Sequence, residues 1–429
     1  TSLVATRTIS PRPGRLPPGL HTTMADFATG GRNAVNRRRL LAGGAAALAA
    51  TATLTSCNAV ETASTTDGFG TDAEPFHGAH QGGVATPPQA HALFVALDLK
   101  PQSDRSPRDT LAAILRLWSS DAARLTQGQP ALADTEPELA QRPARLTVTV
   151  GLGPDLFDRI GRTGLRPPSL VTLPAFDTDR LDPRWCGGDL LLQICADDPI
   201  VVAHTSRVLL KNVRTMTVQR WRQNGFRTAR AADTSGATMR NLMGQVDGTA
   251  NPREAADFDR YIWDDGTQQR WFAGGTVLVM RRIRTELDTW DELDRASKEL
   301  TVGRRLDTGA PLTGQREFDE PDLAASEGGI PVIPPNAHIA LARHHTADQQ
   351  FLRRGYNYDH TPAADQTTDC GLIFAAYQRD PRQQFIPVQQ RLAAADALNP
   401  WVTTIGSATF AILPGAPAGG YLGQRLLEL

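Results

Sequence analysis

The chain has 429 residues, of which 40% are hydrophobic and 21% are charged, and its formal net charge is −1. This length allows one large domain or two ordinary ones with a sizeable core. The near-zero charge gives no reason to expect nucleic acid or an anionic membrane surface as a partner. The four cysteines show no C-x-x-C spacing, so neither a zinc site nor a disulfide framework is indicated. Cys186 and Cys195 could pair under oxidising conditions, although buried free thiols are the preferred interpretation.

Residues 1–72 are predicted to be a disordered leader. The chain does not begin with Met, and Met24 is the expected initiator. Three arginines, Arg37 to Arg39, precede a short run of small and apolar residues at 42–54, which is the pattern of an export signal. Adjacent arginines in this setting resemble the twin-arginine signal that exports folded proteins. The apolar run is too short to predict a membrane-spanning helix.

The end of this signal has two interpretations. Leu54-Thr-Ser-Cys57 resembles a bacterial lipoprotein motif, which makes Cys57 a candidate site for a lipid anchor. Ordinary signal cleavage between residues 57 and 70 is the alternative. Residues 58–72 are rich in Thr, Ser, Gly and Asp and are expected to form a flexible tether. Either interpretation predicts an exported protein that resides outside the cytoplasm, in the cell envelope or a periplasm-like space.

The first folded half alternates strand and helix patterns. Apolar residues at Leu111, Ile114, Leu115 and Trp118 follow the helical period, whereas residues 145–151 alternate as a half-buried strand does. The predicted elements are strand 91–98, helix 108–125, strand 145–151, strand 189–196, helix 199–210 and strand 215–221. This order is that of a ferredoxin-like α+β unit.

The second half repeats the order with a long insertion. The predicted elements are strand 276–282, helix 286–299, a long polar and Pro-rich loop, strands 354–358 and 371–378, helix 383–393 and strand 407–413. We therefore predict an α+β protein with two tandem ferredoxin-like units, at residues 73–262 and 263–429.

One glycine-flanked turn presents a carboxylate. Asp247 lies between Gly244 and Gly248, with Asn251 four residues later. Glycine allows positive φ and a close approach of the backbone to a flat ligand. The turn can therefore press a carboxylate against a planar group. An ordinary surface Asp-Gly turn is the alternative interpretation of these residues alone.

Three further motifs follow this turn. His338 lies between a Pro-rich stretch and apolar residues and is expected on a strand. The segment Phe351-Leu-Arg-Arg-Gly-Tyr-Asn-Tyr358 contains Arg353 and Arg354, and Asp369 opens the strand Asp-Cys-Gly-Leu-Ile-Phe374. Taken in order, the four motifs resemble the dye-decolorizing peroxidase family, and within it the exported deferrochelatase/peroxidase branch. The resemblance extends from about Pro75 to the C-terminus.

The resemblance implies an architecture and a cofactor. The architecture is a pair of ferredoxin-like units of the dimeric α+β barrel type, with antiparallel sheets and peripheral helices. The cofactor is haem b, bound in the C-terminal unit. His338 corresponds to the ligand of the haem iron. Asp369 corresponds to the acid that accepts a hydrogen bond from this histidine, and a cap at the start of a strand is the alternative role.

The same resemblance assigns the peroxide side of the site. Asp247 corresponds to the acid that moves the peroxide proton, and Arg353 to the cation that stabilises the departing hydroxide. A carboxyl group in this role implies activity that peaks at acid pH. Gly248 and Asn251 correspond to cofactor-binding or supporting positions. Arg354 is expected either at a haem propionate or in a surface ion pair.

One departure from the family pattern concerns the propionates. Ala340 stands where the family commonly has arginine, so Arg343 or another residue is expected to supply that contact.

The implied function is a haem peroxidase that uses hydrogen peroxide to oxidise small organic donors. One alternative is an iron-uptake component that oxidises ferrous iron or releases iron from haem, working with transporter components. A non-catalytic exported haem carrier is the other. A homodimer is a candidate assembly.

Overall fold

Residues 70–233, 237–362 and 368–429 are described by the computed structural model of the chain. Nearly all of the predicted leader, including its arginine run and Cys57, lies outside the described residues. The end of the predicted tether is described. Gly70 and Asp72 accept backbone hydrogen bonds of 2.9 and 2.7 Å from Ala144 and Arg145. The folded part therefore begins before the predicted boundary at residue 72.

The N-terminal half contains the predicted strand and helix order with small shifts at the ends. Its elements are β1 (His91–Leu99), α1 (Pro107–Leu125), β2 (Thr147–Leu152), α2 (Pro154–Arg159), β3 (Leu190–Ala196), α3 (Pro199–Val213), β4 (Thr217–Phe226) and α4 (Ala255–Tyr261). Helix α1 begins with Pro107 after the N-cap Ser106, whose side chain accepts a hydrogen bond from the amide of Asp109. This cap and the apolar stripe explain why the helix begins here.

The C-terminal half carries the long insertion between its first helix and its second strand. Its elements are β5 (Thr276–Thr285), α5 (Leu287–Asp291), α6 (Arg295–Val302), β6 (Ser326–Glu327), β7 (Ile330–Pro331), α7 (His338–Ala342), β8 (Leu352–Arg353), β9 (Tyr356–His360), β10 (Asp369–Gln378), α8 (Phe385–Ala395), β11 (Val402–Ile412) and α9 (Gln424–Leu427). The predicted helix 286–299 is in fact the two short helices α5 and α6.

The strand order confirms the predicted fold. In the first half the strands lie in the order β4-β1-β3-β2, and in the second half in the order β11-β5-β10-β9. Both are the order of a ferredoxin-like unit, with the first and third strands in the centre. The pairs β2–β11 and β4–β9 join the halves edge to edge, so that eight strands of the described chain form a closed antiparallel ring. All of these strands belong to one compact unit, and the boundary at 262/263 stays a prediction.

Side chains that alternate along each strand separate the interior of the ring from its outer faces. Leu278 and Met280 of β5 point into the ring with Tyr356 and Ile373, whereas Val279 packs outward against Phe385 of α8. Arg281 and Ile283 lie on the same outward face as Val279 and line a cavity under the helices. The period of two therefore decides which residues of β5 and β10 can reach that cavity.

Two further sequence expectations can be compared with the structure. Cys186, Cys195 and Cys370 are free thiols, as preferred over a Cys186–Cys195 disulfide. Among the described residues, no helix combines the length and apolar character needed to cross a bilayer.

Candidate functional site

A cavity of about 430 Å³ lies between the outer face of β5 and β10, helices α7 and α8, and two loops. Its sheet side carries Ile283, Leu372 and Phe374 beside Arg281, and α8 adds Phe385, Val388 and Leu392. Four of the predicted catalytic and cofactor-binding residues line it, namely Asp247, Gly248, His338 and Arg353, and so does Arg343, the candidate propionate contact. The volume falls within the range of roughly 300–1,000 Å³ that is common for cofactor sites.

The Asp247 turn is held by its own backbone and by one asparagine. The side-chain oxygen of Asn241 accepts hydrogen bonds from the amides of Met243 and Gln245 at 3.1 and 3.2 Å. Asp247 then pairs back across the turn, donating its amide to Met239 O at 2.8 Å. Gly248 follows with φ at +130°, a conformation that a residue with Cβ rarely adopts. These constraints fix the direction of the Asp247 carboxylate towards the cavity.

Asp247 and Arg353 form an ion pair at the cavity wall. Arg353 Nη1 donates to Asp247 Oδ1 at 3.0 Å, and both side chains keep part of their surface exposed to the cavity. Asn251 binds the backbone of Arg353 through two hydrogen bonds. The Asn251 amide nitrogen donates to Arg353 O at 2.7 Å, and its oxygen accepts from Arg353 N at 2.8 Å. The structure thus places Asn251 as the residue that positions Arg353.

His338 is the first residue of helix α7, not part of a strand as the sequence suggested. Its Nδ1 lies 2.6 Å from Oδ2 of Asp396, a carboxylate that is 3% exposed. Burial opposes protonation of His338, but the charge and hydrogen bond of Asp396 outweigh this effect, so the pKa of His338 lies above its ordinary value. With Nδ1 engaged, Nε2 is the nitrogen that is available to a metal.

The prediction that Asp369 accepts a hydrogen bond from His338 is wrong. Asp369 receives two hydrogen bonds from Arg282 Nη2, at 2.9 and 3.0 Å, and does not line the cavity. Arg282 neighbours Arg281 on β5 and so points to the other face of the strand. Asp369 faces that same side, because it lies an even number of residues before the inward-facing Ile373. The alternation of side chains along the strands therefore separates Asp369 from the imidazole.

The prediction for Arg354, a haem propionate contact or a surface ion pair, is also wrong. Arg354 is 1% exposed and donates to Thr86 O and to Gln89 Oε1, on the side of the strand away from the cavity. It forms neither the surface ion pair nor the cofactor contact that was expected. Its neighbour Arg353 faces the cavity, so the two consecutive arginines have opposite environments.

Two carboxylates that line the cavity were not predicted from the sequence. Asp396 is the C-cap residue of α8, where the helix macrodipole disfavours an anion, and such an acid in a sequence signals a nearby cation or donor. Glu317, in the long insertion, accepts hydrogen bonds from Thr238 and Thr249 at 2.5 and 2.9 Å and so ties the insertion to the Asp247 turn. No sequence signal identifies Glu317, because its partners lie 68 and 79 residues away.

The residues present fit a flat, mostly apolar cofactor that carries a metal. One imidazole is fixed by a buried carboxylate with its second nitrogen left for coordination, and a largely apolar sheet face forms the floor. A carboxylate and a guanidinium lie in the same cavity as a pair able to move a proton and stabilise developing negative charge. The arrangement can therefore support acid–base chemistry on a small ligand of a bound metal.

Comparisons with known proteins point the same way. A family model described as "Dyp-type peroxidase, N-terminal" matches residues 81–227, and one described as "Dyp-type peroxidase, C-terminal" matches residues 238–417. Together they span more than half of the chain.

Individual relatives cover most of it. A dye-decolorizing peroxidase from Thermobifida fusca (strain YX) is 45% identical over 362 residues, which is 82% of this chain and 84% of the relative. A deferrochelatase from Yersinia pestis bv. Antiqua (strain Nepal516) is 37% identical over 419 residues, covering 92% and 95%. A solved DyP-type peroxidase from Cellulomonas bogoriensis is 50% identical with a TM-score of 0.81, covering 84% of this chain and 99% of that one.

Proposed function

The chain belongs to the Dyp-type peroxidase family, and on this premise we propose that it is a haem b peroxidase in which His338 binds the iron while Asp247 and Arg353 act on hydrogen peroxide. The observation that supports these roles is that all three side chains line one cavity. Small organic donors are the second substrate.

Each residue has a distinct task at the site. When bound, haem supplies the redox chemistry by which peroxide is reduced and donors are oxidised one electron at a time. Asp247 accepts a proton from one peroxide oxygen and returns it to the other, at Oδ2, because the hydrogen bond that Oδ2 accepts from Asn241 Nδ2 is long, at 3.4 Å, whereas Oδ1 accepts one from Arg353 at 3.0 Å. Arg353 stabilises the negative charge of the departing oxygen. Asp396 holds the His338 ring in one tautomer and orientation.

Substitution of the peroxide-facing pair tests this proposal. We expect Asp247→Asn and Arg353→Leu each to lower kcat/KM for peroxide by about 10²- to 10⁴-fold, the range of a lost acid–base group or charge stabiliser. The haem absorption spectrum of both variants should stay close to that of the wild type, because neither residue ligates the iron.

The surface supplies a matched control pair. Arg260 and Asp348 form an exposed ion pair at 3.0 Å, outside the cavity. Arg260→Leu and Asp348→Asn remove the same chemical groups and should leave the peroxide reaction unchanged. Wild-type rates in both cavity variants would overturn the assigned roles, as would an equal loss in the control pair.

A second candidate function is iron release or oxidation of ferrous iron in an iron-uptake system with transporter components. It is favoured by the relative named deferrochelatase, which matches 92% of this chain. Incubation of the protein with haem distinguishes the two functions. Iron-free porphyrin that accumulates without peroxide supports iron release, whereas haem recovered intact beside peroxide-dependent donor oxidation supports the peroxidase alone.

Export is part of the proposal. The arginine run at 37–39 and the following apolar residues support a twin-arginine-type signal, and Cys57 is the candidate lipid anchor. Arg37→Lys with Arg38→Lys and Arg39→Lys should retain the protein in the cytoplasm, as measured by cell fractionation. Export that continues in this variant would contradict the signal. Cys57→Ala should release the exported protein from membranes if the anchor is present.

A further inference from the structure

One of the arginines that line the cavity has no carboxylate in contact with its guanidinium. Four arginines line it, and three of them have an ion-pair partner. The partners are Asp179 for Arg281, Glu320 for Arg343 and Asp247 for Arg353. Arg304 is the exception, since no carboxylate of the described residues lies within 4.0 Å of its guanidinium. A partly buried cation with no carboxylate in contact is costly, so it calls for a specific explanation.

The bonds of Arg304 leave one edge of its guanidinium open. Nη1 donates to the carbonyl oxygens of Gly309 and Glu317 at 2.6 and 2.9 Å. Nε and Nη2 donate to no acceptor among the residues that the structure describes. These two groups form the side of the guanidinium that binds a carboxylate through two parallel hydrogen bonds. Burial lowers the pKa of Arg304, with Glu317 partly opposing this shift, as expected when no contact partner compensates the charge.

The position of Arg304 is tied to the helix that begins with His338. Gly303 ends α6 with φ at +83°, and a Cβ at this position would overlap Cγ2 of Ile339. The backbone just before Arg304 therefore packs directly against the first turn of α7. Because His338 opens that turn, Arg304 and His338 each lie next to a residue of the same contact between the end of α6 and α7.

We propose that Arg304 binds a carboxylate, and that this carboxylate is a propionate of the bound haem. The inference rests on the proposed function, because haem is the source of the propionate. Arg304, which lies in the long insertion, would then make the propionate contact that Ala340 cannot make. A carboxylated electron donor is the other source of the same chemical group, and the experiment separates the two.

The first measurement of the test is haem affinity, which requires no turnover. Metal- and haem-free protein is titrated with haem and the dissociation constant is read from the absorption band of the bound form. We expect Arg304→Gln, which keeps a donor for the carbonyls but removes the charge, to weaken haem binding by roughly 10- to 100-fold. Arg304→Lys should recover part of this loss, since it keeps the charge without the planar fork.

Arg305 provides the matched control. It is the next residue, is exposed, and does not line the cavity. Arg305→Gln removes the same charge from the same loop and should leave the dissociation constant within about twofold, since surface charges contribute little. An equal loss in both variants would indicate a long-range charge effect and would overturn the proposal.

The source of the carboxylate is identified with haem dimethyl ester. If Arg304 binds a propionate, the penalty of Arg304→Gln that is measured with haem should largely disappear with the ester. If haem binding is unchanged but KM rises about tenfold for a carboxylated phenol and not for the matching neutral phenol, the donor is the source. Both results support a carboxylate at Arg304.

Three further outcomes overturn the proposal. The first is an unchanged haem affinity together with an unchanged KM for both phenols. The second is the same penalty with haem and with its ester, together with a lower unfolding temperature of the haem-free variant, which would make Arg304 a purely structural residue. The third is a wild-type protein that takes up no haem, which refutes the proposed function and, with it, the propionate contact. Only in the first two does the proposed function survive.

Discussion

His338 and Asp396 are joined by a hydrogen bond of 2.6 Å between Nδ1 and Oδ2, although they lie 58 residues apart in the chain. Helices α7 and α8 pack together, and this contact brings the C-cap of α8 beneath the first residue of α7. Oδ1 of the same carboxylate accepts the amide of Leu398 at 2.9 Å, so the acid is fixed from both sides. A fixed anionic partner orients the imidazole and raises the basicity of its second nitrogen.

Asp396→Asn should therefore weaken haem binding. Loss of a carboxylate behind a metal-ligating histidine typically costs about 10- to 100-fold in affinity or activity. We also expect the reduction potential of the iron to rise, because the less basic imidazole stabilises the oxidised iron less well. Absorption titration and potentiometry measure the two effects independently.

Asp369→Asn is the control for this substitution. It makes the same chemical change in a carboxylate that pairs with Arg282 on the other side of β5. The haem affinity and potential should remain at wild-type values. If Asp369→Asn shifted them and Asp396→Asn did not, the assignment of the partner from the structure would be wrong.

Asn251→Ala should displace Arg353 without touching its side chain. The two hydrogen bonds to the Arg353 backbone are lost, each of which contributes about 0.5–1.5 kcal/mol to stability. A small displacement of a positioned catalytic group can cost up to about 10²-fold in rate. We expect a lower kcat/KM for peroxide with an unchanged haem spectrum, whereas the exposed Asn224→Ala should leave both unaltered. Full peroxide reactivity in Asn251→Ala would contradict the positioning role.

Gly248→Ala tests the conformation of the Asp247 turn. A Cβ here would have room, since its nearest neighbour would be Thr238 Cγ2 at 3.4 Å, so the cost comes from the backbone at φ +130°. Such strain amounts to about 1–3 kcal/mol. Relief of the strain would turn the Asp247 carboxylate, so we expect a lower unfolding temperature and a slower reaction with peroxide.

Gly164→Ala is the comparison for that variant. Gly164 has no atom within 4 Å of a Cβ and no positive φ. It should unfold and react as the wild type does. Equal behaviour of the two glycine variants in thermal unfolding would show that the turn tolerates a side chain.

The stability of the haem-free protein should depend on pH through His338. Because Asp396 raises the folded-state pKa of His338 above the ordinary 6.5, the protonated ion pair stabilises the fold fully below that pH. This contribution is lost as pH rises through the raised folded-state pKa. The free energy of unfolding of the wild type, compared with Asp396→Asn, should therefore show its largest advantage below pH 6.5 and a smaller one above it. A pH-independent difference in urea denaturation would contradict the prediction.

Local patterns in the sequence were sufficient for the elements and for part of the site. The helical stripe of α1, the alternating β2 and the repeated strand–helix order predicted two ferredoxin-like units, and the observed strand order agrees. The glycines around Asp247 mark a turn in the sequence itself, whereas Arg353 and His338 could be singled out only because their motifs resemble those of the family. The long helix predicted at 286–299 failed where Asp294 caps a new helix, α6, and so breaks the pattern.

The partners of these residues depended on packing between distant segments. Whether Asp369 or Asp396 holds His338 is decided by the contact of α7 with α8 and by the side of β10 on which Asp369 lies. The same alternation sends Arg353 into the cavity and Arg354 away from it. Sequence thus determined which groups this protein has and the turns that present them. Only the tertiary structure decided which of them meet, because hydrogen bonds across 58 or 102 residues arise from the packing of whole elements and not from local conformational preference.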